Sequence, residues 1–307
     1  MPPPLALIAG PTASGKSALA LAVAEHAPVT IINADSAQVY RDLRILSARP
    51  DESEMACAPH RLFGHIDGAD NCSAARWAEE AKTEIAQAHA DGRLPLLVGG
   101  TGLYIRTLLD GIAPIPEIEA EVRAAIRAMP VDQAYAALTR EDPDSAARIS
   151  PGDTTRVQRA LEVVRSTGHA LSHWHEKREG GIGDQVALRP LILLPPRDWL
   201  IARSDARFQG MVEGGAVGEV ERLLDRRLHH DVPVMRAIGV REIAAWLRGD
   251  MNRPEMMHTG RVATRQYAKR QYTWFRNQPP QDWRRLEEPL TPELVAKATQ
   301  QLAASQR

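Results

Sequence analysis

The chain has 307 residues, of which 44% are hydrophobic and 25% are charged, as is usual for soluble globular proteins. Its apolar runs are too short to span a bilayer, and the proline-rich start lacks a basic region followed by an apolar one, so we expect a cytoplasmic protein without a membrane anchor. The net charge of −1 argues against a uniformly basic coat for nucleic acid, and two cysteines without CxxC spacing indicate neither a disulfide framework nor a zinc site.

Short apolar runs alternate with helical segments over roughly the first hundred residues. The predicted strands are Leu5–Ala9, Val29–Ile32 and Leu94–Val98. The predicted helices are Ala18–Glu25 and Ala74–Ala90, the second capped by Asn71 or Ser73. This alternation is typical of a parallel sheet in an α/β fold.

Between the first strand and the first helix lies the pattern GxxxxGK[ST], written here Gly10-Pro11-Thr12-Ala13-Ser14-Gly15-Lys16-Ser17. In such a P-loop the backbone N–H groups, here those of Thr12 to Ser17, surround phosphate oxygens and the lysine supplies a positive charge. The hydroxyl of Ser17 would bind Mg²⁺. We therefore predict a phosphate-binding site at the start of the chain.

The second and third predicted strands end in polar residues that should lie near this loop, because the carboxyl ends of parallel strands share one crevice. Asp35 follows the second strand and is a candidate general base, although a carboxylate at this place also suits a turn cap. Thr101, after the third strand, is either a cap or an active-site hydroxyl. The carboxylate that a nucleotide hydrolase would carry there is replaced by Gly99-Gly100-Thr101-Gly102.

Helical periodicity replaces the alternation after Gly111, and a strand returns at Leu191–Leu194 before further helices. We therefore predict an α/β fold with a P-loop NTPase-like parallel sheet, an inserted all-helical subdomain and C-terminal helices. The predicted bounds are 1–113 for the first part of the core, 114–187 for the insertion and 188–307 for the rest.

The last of these parts contains a basic stretch with no acidic residue between Glu255 and Asp282. Four cations are spaced by four, four and seven residues, which places them on one face of a helix: Arg261, Arg265, Lys269 and Arg276. Such a face suits a phosphate backbone, and it is also typical of a solvated helix surface.

Eight ordered segments of the chain resemble the tRNA dimethylallyltransferase family, also called tRNA isopentenyltransferases or IPP transferases. They include the P-loop, Asp35–Tyr40, Gly99–Ile105, Asp142–Ile149, Arg156–Val163, Leu171–Trp174, Met235–Gly239 and Thr264–Arg276. The resemblance implies transfer of a dimethylallyl group from dimethylallyl diphosphate to N6 of the adenine 3′-adjacent to the anticodon, in tRNAs reading codons that begin with U. The products are isopentenyladenosine and diphosphate.

The resemblance also implies residue roles. Lys16 and Ser17 with Mg²⁺ would stabilise the leaving diphosphate, with Arg203 and Arg207 as further ligands, while Asp35 takes the proton from N6 and Thr101 orients the amine. The expected partner is the anticodon stem-loop of tRNA, bound by a monomer with the target base flipped out. The implied tRNA contacts are Asp35, Ser36, Ala37, Gln38, Thr101, Arg123, Gln158, Arg159, Ala160, Leu161, Glu162, Arg265, Lys269, Arg270 and Arg276.

Three alternatives remain open on the residues alone. A P-loop kinase of a small metabolite explains the first hundred or so residues equally well but not the basic stretch. An adenylate isopentenyltransferase shares the chemistry but modifies free nucleotide. An RNA-binding module with a relict nucleotide site does not explain why Lys16, Ser17, Asp35 and Thr101 are all present.

Overall fold

The computed structural model describes residues 1–175 and 178–304, which form one six-stranded parallel sheet surrounded by helices. Its strands are β1 (Pro4–Ala9), β2 (Val29–Asn33), β3 (His60–Arg61), β4 (Leu94–Gly99), β5 (Ala187–Leu193) and β6 (Arg284–Leu286), in the order β3-β2-β4-β1-β5-β6. The apolar run of β1 is fully buried at the centre of the sheet. The predicted α/β fold with a parallel sheet is confirmed.

The helices of the first part of the chain are α1 (Lys16–His26), α2 (Glu52–Cys57), α3 (Ala74–Ala90) and α4 (Gly102–Asp110). The bounds predicted for α3 are those observed, with Ser73 rather than Asn71 as the cap, since its side chain accepts from the backbone N–H of Arg76. The prediction for α1 began two residues late because the helix already starts at Lys16, inside the P-loop pattern.

Residues Leu109–Ile182 form a separate compact unit, where the sequence predicted residues 114–187. Its helices are α5 (Ala120–Arg127), α6 (Val131–Glu141), α7 (Pro143–Arg148), α8 (Thr154–Thr167) and α9 (Leu171–His175). They pack around their own core, which includes Ile126, Leu138 and Val157. The two ends of the unit meet where Ile112 and Glu179 exchange backbone hydrogen bonds of 3.0 Å, so a helical unit can be inserted here without parting the sheet.

The other unit consists of Met1–Leu108 and Gly183–Arg307. After β5 it contains α10 (Arg197–Met211), α11 (Val217–Asp225), α12 (Val240–Leu247), α13 (Arg253–Asn277) and α14 (Pro292–Ala303). None of the helices in residues 1–175 and 178–304 is long and apolar enough to cross a membrane.

Strand β5 begins earlier than predicted and contains Pro190, which the sequence suggested as its boundary. At Pro190, β5 pairs with β1 alone, because β6 joins it only from Leu191 onward. Proline is tolerated where one edge of a strand is unpaired. The short strands β3 and β6, of two and three residues, were not predicted because they are too short to show a period.

Candidate active site

The P-loop connects β1 to α1 as predicted, and its backbone requires glycine at Gly10. This residue has φ of +149°, and a Cβ there would lie 2.4 Å from the carbonyl oxygen of Leu193 in β5. Gly15, at the start of α1, has φ of +100°, and Ala13 between them also has a positive φ of 63°. The loop therefore turns sharply at the carboxyl end of the central strand, where the amino end of α1 faces a cavity.

This phosphate cavity, as we call it, has a volume of about 610 Å³ and is lined by Lys16, Ser17, Asp35, Arg203 and Arg207, among others. The sequence analysis placed all five of these residues in one site, and the structure brings them together. Both arginines come from α10 and contact the P-loop directly. Arg203 donates from Nε to the carbonyl of Ala13 at 3.1 Å, and Arg207 donates from Nη1 to Oγ1 of Thr12 at 3.4 Å.

Lys16 folds back on its own loop, where Nζ donates to the carbonyl of Pro11 at 2.7 Å. Burial lowers the pKa of Lys16 to about 8, against the opposing effect of Asp35 and with a smaller contribution from Arg207. Burial likewise lowers the pKa of Arg207, and Asp35 again opposes the shift. The cations of this cluster outnumber the carboxylates beside them, Asp35 and Glu54, so an anionic group would stabilise the cluster.

Asp35 serves as a turn cap and also lines the cavity, so its role as a cap is observed and its role as a general base stays a prediction. Its Oδ1 accepts from the backbone N–H of Ala37 at 3.0 Å. Asn33, which is fully buried, fixes the position of Asp35, because its side chain accepts from the N–H of Asp35 at 2.8 Å and donates to the carbonyls of Asp35 and Leu62 at 3.0 Å each. Asn33, the last residue of β2, was not predicted to take part in the site.

Thr101 joins the ends of β4 and β2. Its Oγ1 accepts from the N–H of Ser36 at 2.9 Å and lies 3.1 Å from Oγ of Ser36. The hydroxyl of Tyr267, from α13, also bonds to Thr101, and burial raises the pKa of Tyr267. Thr101 is thus held between Tyr267 and Ser36, and Ser36 is the residue that follows Asp35 in the chain.

A second cavity, of about 370 Å³, borders the phosphate cavity and differs from it in chemistry. Its walls are largely aromatic and apolar, and they include Tyr40, Tyr104, Phe208, Met211, Ile238 and Tyr267. We call it the aromatic cavity. Thr12, Asp35, Ser47 and Arg207 line both cavities, so the candidate base and a candidate diphosphate ligand lie where the two meet.

Residues 46–50 line this site, and a carboxylate far along the chain holds the start of this segment in place. Glu219 of α11 is only 5% exposed. Its Oε1 accepts from the N–H groups of Arg44 and Ile45 at 2.8 Å each, and Oε2 accepts from that of Leu46 at 3.0 Å. Gln38, predicted as a tRNA contact, uses Nε2 to donate to the carbonyls of Ser47 and Ala48 at 3.1 and 3.0 Å.

Replacing Glu219 by glutamine should lower the free energy of unfolding by about 3 kcal/mol, because an amide N–H₂ would face a backbone donor and the charge that strengthens the remaining bonds would be lost. Urea unfolding followed by circular dichroism measures the change. Glu221→Gln is the control, since Glu221 is exposed on the same helix. Equal stabilities of the two variants would contradict this role for Glu219.

The implied tRNA contacts in the helical unit fall into two groups. Arg123, Gln158 and Arg159 are partly or largely accessible. Ala160 and Leu161, by contrast, are fully buried in the core of that unit, and Glu162 is 4% exposed and paired with Arg127 and Arg159 at 3.3 and 3.6 Å. The side chains of Ala160 and Leu161 therefore form no accessible surface for RNA, which corrects that part of the prediction.

The basic face predicted for α13 is divided in the structure. Arg265 forms a two-bond ion pair with Asp205 of α10, with 2.7 Å between Nε and Oδ1, and Arg261 donates to Oε1 of Gln209 at 2.7 Å. These two cations hold α13 against α10, and Arg265 stays exposed beside its ion pair, so its contact with tRNA remains a prediction. Lys269, Arg270 and Arg276 are exposed farther along the helix.

A family model described as IPP transferase matches residues 38–278. The chain is 64% identical to the tRNA dimethylallyltransferase of Erythrobacter litoralis over 93% of its length and 92% of the relative. A solved tRNA isopentenylpyrophosphate transferase from Bacillus halodurans has 32% identity and a TM-score of 0.70, with 97% and 96% of the two chains covered.

A eukaryotic dimethylallyltransferase solved in snapshots of its action on tRNA has 28% identity and a TM-score of 0.76, over 89% of this chain and 70% of that one. The relatives and the fold agree with the segments that suggested the resemblance. The chain therefore belongs to the IPP transferase family.

Proposed function

We propose that this protein is a tRNA dimethylallyltransferase that moves a dimethylallyl group from dimethylallyl diphosphate to N6 of the adenine 3′-adjacent to the anticodon. The identity of its relatives supports the activity. The observation that carries the mechanism is the meeting of the phosphate and aromatic cavities at Asp35 and Arg207. Cations there suit a diphosphate, and the aromatic cavity suits a prenyl chain and a flipped base.

In this reaction the allylic carbon–oxygen bond breaks and its electron pair leaves with the diphosphate, while N6 forms a new bond to the allylic carbon. Lys16, Arg203 and Arg207 stabilise the charge that builds on the leaving oxygens. Asp35 accepts the proton that N6 loses, and Thr101 orients the amine. Each residue acts from the position described above, at the carboxyl edge of the sheet.

The residues around Ser17 fit a magnesium ion. The hydroxyl of Ser17 lines the phosphate cavity with the carboxylates of Asp35 and Glu54, and oxygen ligands of this kind together with substrate phosphates are what Mg²⁺ prefers. We propose that Ser17 holds Mg²⁺ with the diphosphate. When bound, the ion supplies positive charge to the leaving group.

On the protein side, the accessible cations Arg123, Arg159, Lys269, Arg270 and Arg276 are proposed to contact the anticodon stem-loop. We also propose that the protein works as a cytoplasmic monomer. Light scattering of the free protein and of its complex with an anticodon stem-loop tests the stoichiometry.

Transfer of labelled dimethylallyl groups tests the function directly. The protein is incubated with Mg²⁺, labelled dimethylallyl diphosphate and either an anticodon stem-loop, AMP or no acceptor. Label in the stem-loop alone is expected. Label in AMP would identify an adenylate isopentenyltransferase, and movement of the γ-phosphate of ATP to a small acceptor, with dimethylallyl diphosphate inert, would identify a kinase.

The pKa of Lys16 gives a second test of the leaving-group site. Because burial places this pKa at about 8, Lys16 is charged below that pH and neutral above it. We expect the affinity for inorganic diphosphate, measured by calorimetry, to fall as the pH rises through about 8. Lys16→Met should bind more weakly and lack this fall. An identical pH dependence in both proteins would exclude Lys16 as a ligand.

A further inference from the structure

Gln271 of α13 is a glutamine buried between two loops of the site. It is 6% exposed. Its Oε1 accepts from the backbone N–H of Thr12 at 2.8 Å, and its Nε2 donates to the backbone carbonyl of Gly100 at 2.8 Å. One side chain thus joins the P-loop after β1 to the loop after β4. It also takes the N–H of Thr12, which the P-loop pattern had assigned to phosphate.

The glycines of the second loop allow this contact. A Cβ at Gly100 would lie 2.3 Å from Nε2 of Gln271, and one at Gly102 would lie 2.3 Å from the ring of Trp274, one turn farther along α13. Neither Gly100 nor Gly102 has a positive φ. The loop therefore needs glycine for the close approach of α13 and not for backbone freedom.

We propose that Gln271 is a positioning residue that fixes the distance between the leaving-group side and the acceptor side of the reaction. The P-loop carries Lys16 and bears Thr12, to which Arg207 is bonded. Gly100 precedes Thr101, which is bonded to Ser36 beside the candidate base. Gln271 hydrogen-bonds to both loops and so connects the residues of the leaving-group side with those of the acceptor side. The proposal rests on the proposed transferase function.

Glutamine suits this place because the site requires one acceptor and one donor on the same planar group. A methionine of similar length supplies neither, and it leaves a buried N–H and a buried carbonyl without partners. A carboxylate can accept from Thr12 but cannot donate to Gly100, whereas a protonated carboxyl does both. These substitutions therefore distinguish a side chain that must form both hydrogen bonds from one that only fills space.

The test compares Gln271→Met and Gln271→Glu with the full-length wild-type protein, using labelled dimethylallyl diphosphate and an anticodon stem-loop. Gln271→Met should lower kcat roughly 30-fold, with both KM values within about threefold of wild type, because the two cavities remain and only their relative placement changes. Gln266→Met is the control. Gln266 is exposed on the same helix, and this variant should retain the wild-type kcat.

The pH profile of Gln271→Glu supplies a readout that loss of packing would not give. Its kcat relative to wild type should rise as the pH falls, because protonation restores the donor to Gly100, and burial raises the pKa of the introduced carboxyl. A flat ratio, or a wild-type kcat for Gln271→Met, would overturn the proposal. Wild-type protein without transferase activity would instead overturn the proposed function. Circular dichroism shows whether each variant is folded. If Gln271→Met does not fold, the pH dependence of kcat for Gln271→Glu relative to wild type still tests the proposal.

Discussion

Asp35→Asn should lower kcat for dimethylallyl transfer about a thousandfold, since an amide cannot accept the proton that N6 releases. Asparagine is the sharpest replacement because its side-chain oxygen keeps the bond from the N–H of Ala37 that Oδ1 of Asp35 now accepts. The turn therefore survives and only the basicity is lost. Single-turnover rates with labelled dimethylallyl diphosphate and an anticodon stem-loop measure the effect.

Binding separates this chemical role from a role in holding RNA. The affinity of Asp35→Asn for the stem-loop, measured by filter binding, should stay within about threefold of wild type, because an amide of the same shape replaces the carboxylate. Asp70→Asn, at an exposed position in the same unit, is the control for loss of a carboxylate. A single-turnover rate near the wild-type value in Asp35→Asn would remove Asp35 as the base.

Arg207→Gln should lower kcat roughly 300-fold through weaker stabilisation of the departing diphosphate. Arg207 lies where the phosphate and aromatic cavities meet and is bonded to Thr12, so its guanidinium is held at the place proposed for the leaving diphosphate. Arg203→Gln should have a smaller effect, because Arg203 is exposed at the edge of the phosphate cavity and lies over the ring of Trp199 at 4.6 Å.

An arginine far from the site serves as the control for Arg207→Gln. Arg222→Gln, at an exposed position on α11, should leave kcat unchanged. Arg207→Lys keeps the charge but loses the planar fork, and we expect it to recover only part of the rate. If Arg207→Gln and Arg222→Gln gave equal rates, Arg207 would not be a ligand of the leaving group.

The sequence predicted those parts of the site that local chemistry determines. The spacing of Gly10, Gly15 and Lys16 reflects one tight turn, and Asp35 and Thr101 follow apolar runs that can only be buried strands. Because parallel strands end at one edge, these residues had to meet. Their roles in catalysis remain predictions, as does the magnesium site at Ser17.

The residues that the sequence did not reveal are those whose partners are far away along the chain. Neither Glu219 nor Gln271 belongs to a local sequence pattern. The structure shows that Glu219 binds three backbone N–H groups of residues 44–46. It also shows that Gln271 binds the two loops of the site. The same reason explains why the ion pair of Arg265 was not predicted. Helical spacing gave its face correctly, but only packing shows that α10 presents Asp205 to that face.

The bond between Thr12 and Gln271 joins residues 259 positions apart. A ribosome makes the P-loop before α13, so a growing chain carries the phosphate loop and the candidate base long before it carries the side chain that joins their supporting loops. Contacts of such sequence separation slow folding, because the entropy of closing a long loop is lost before the contact forms. A transferase built in this way acquires its working geometry only after α13 has been made, and an incomplete chain that stops before α13 would have the P-loop without the alignment that gives it a use.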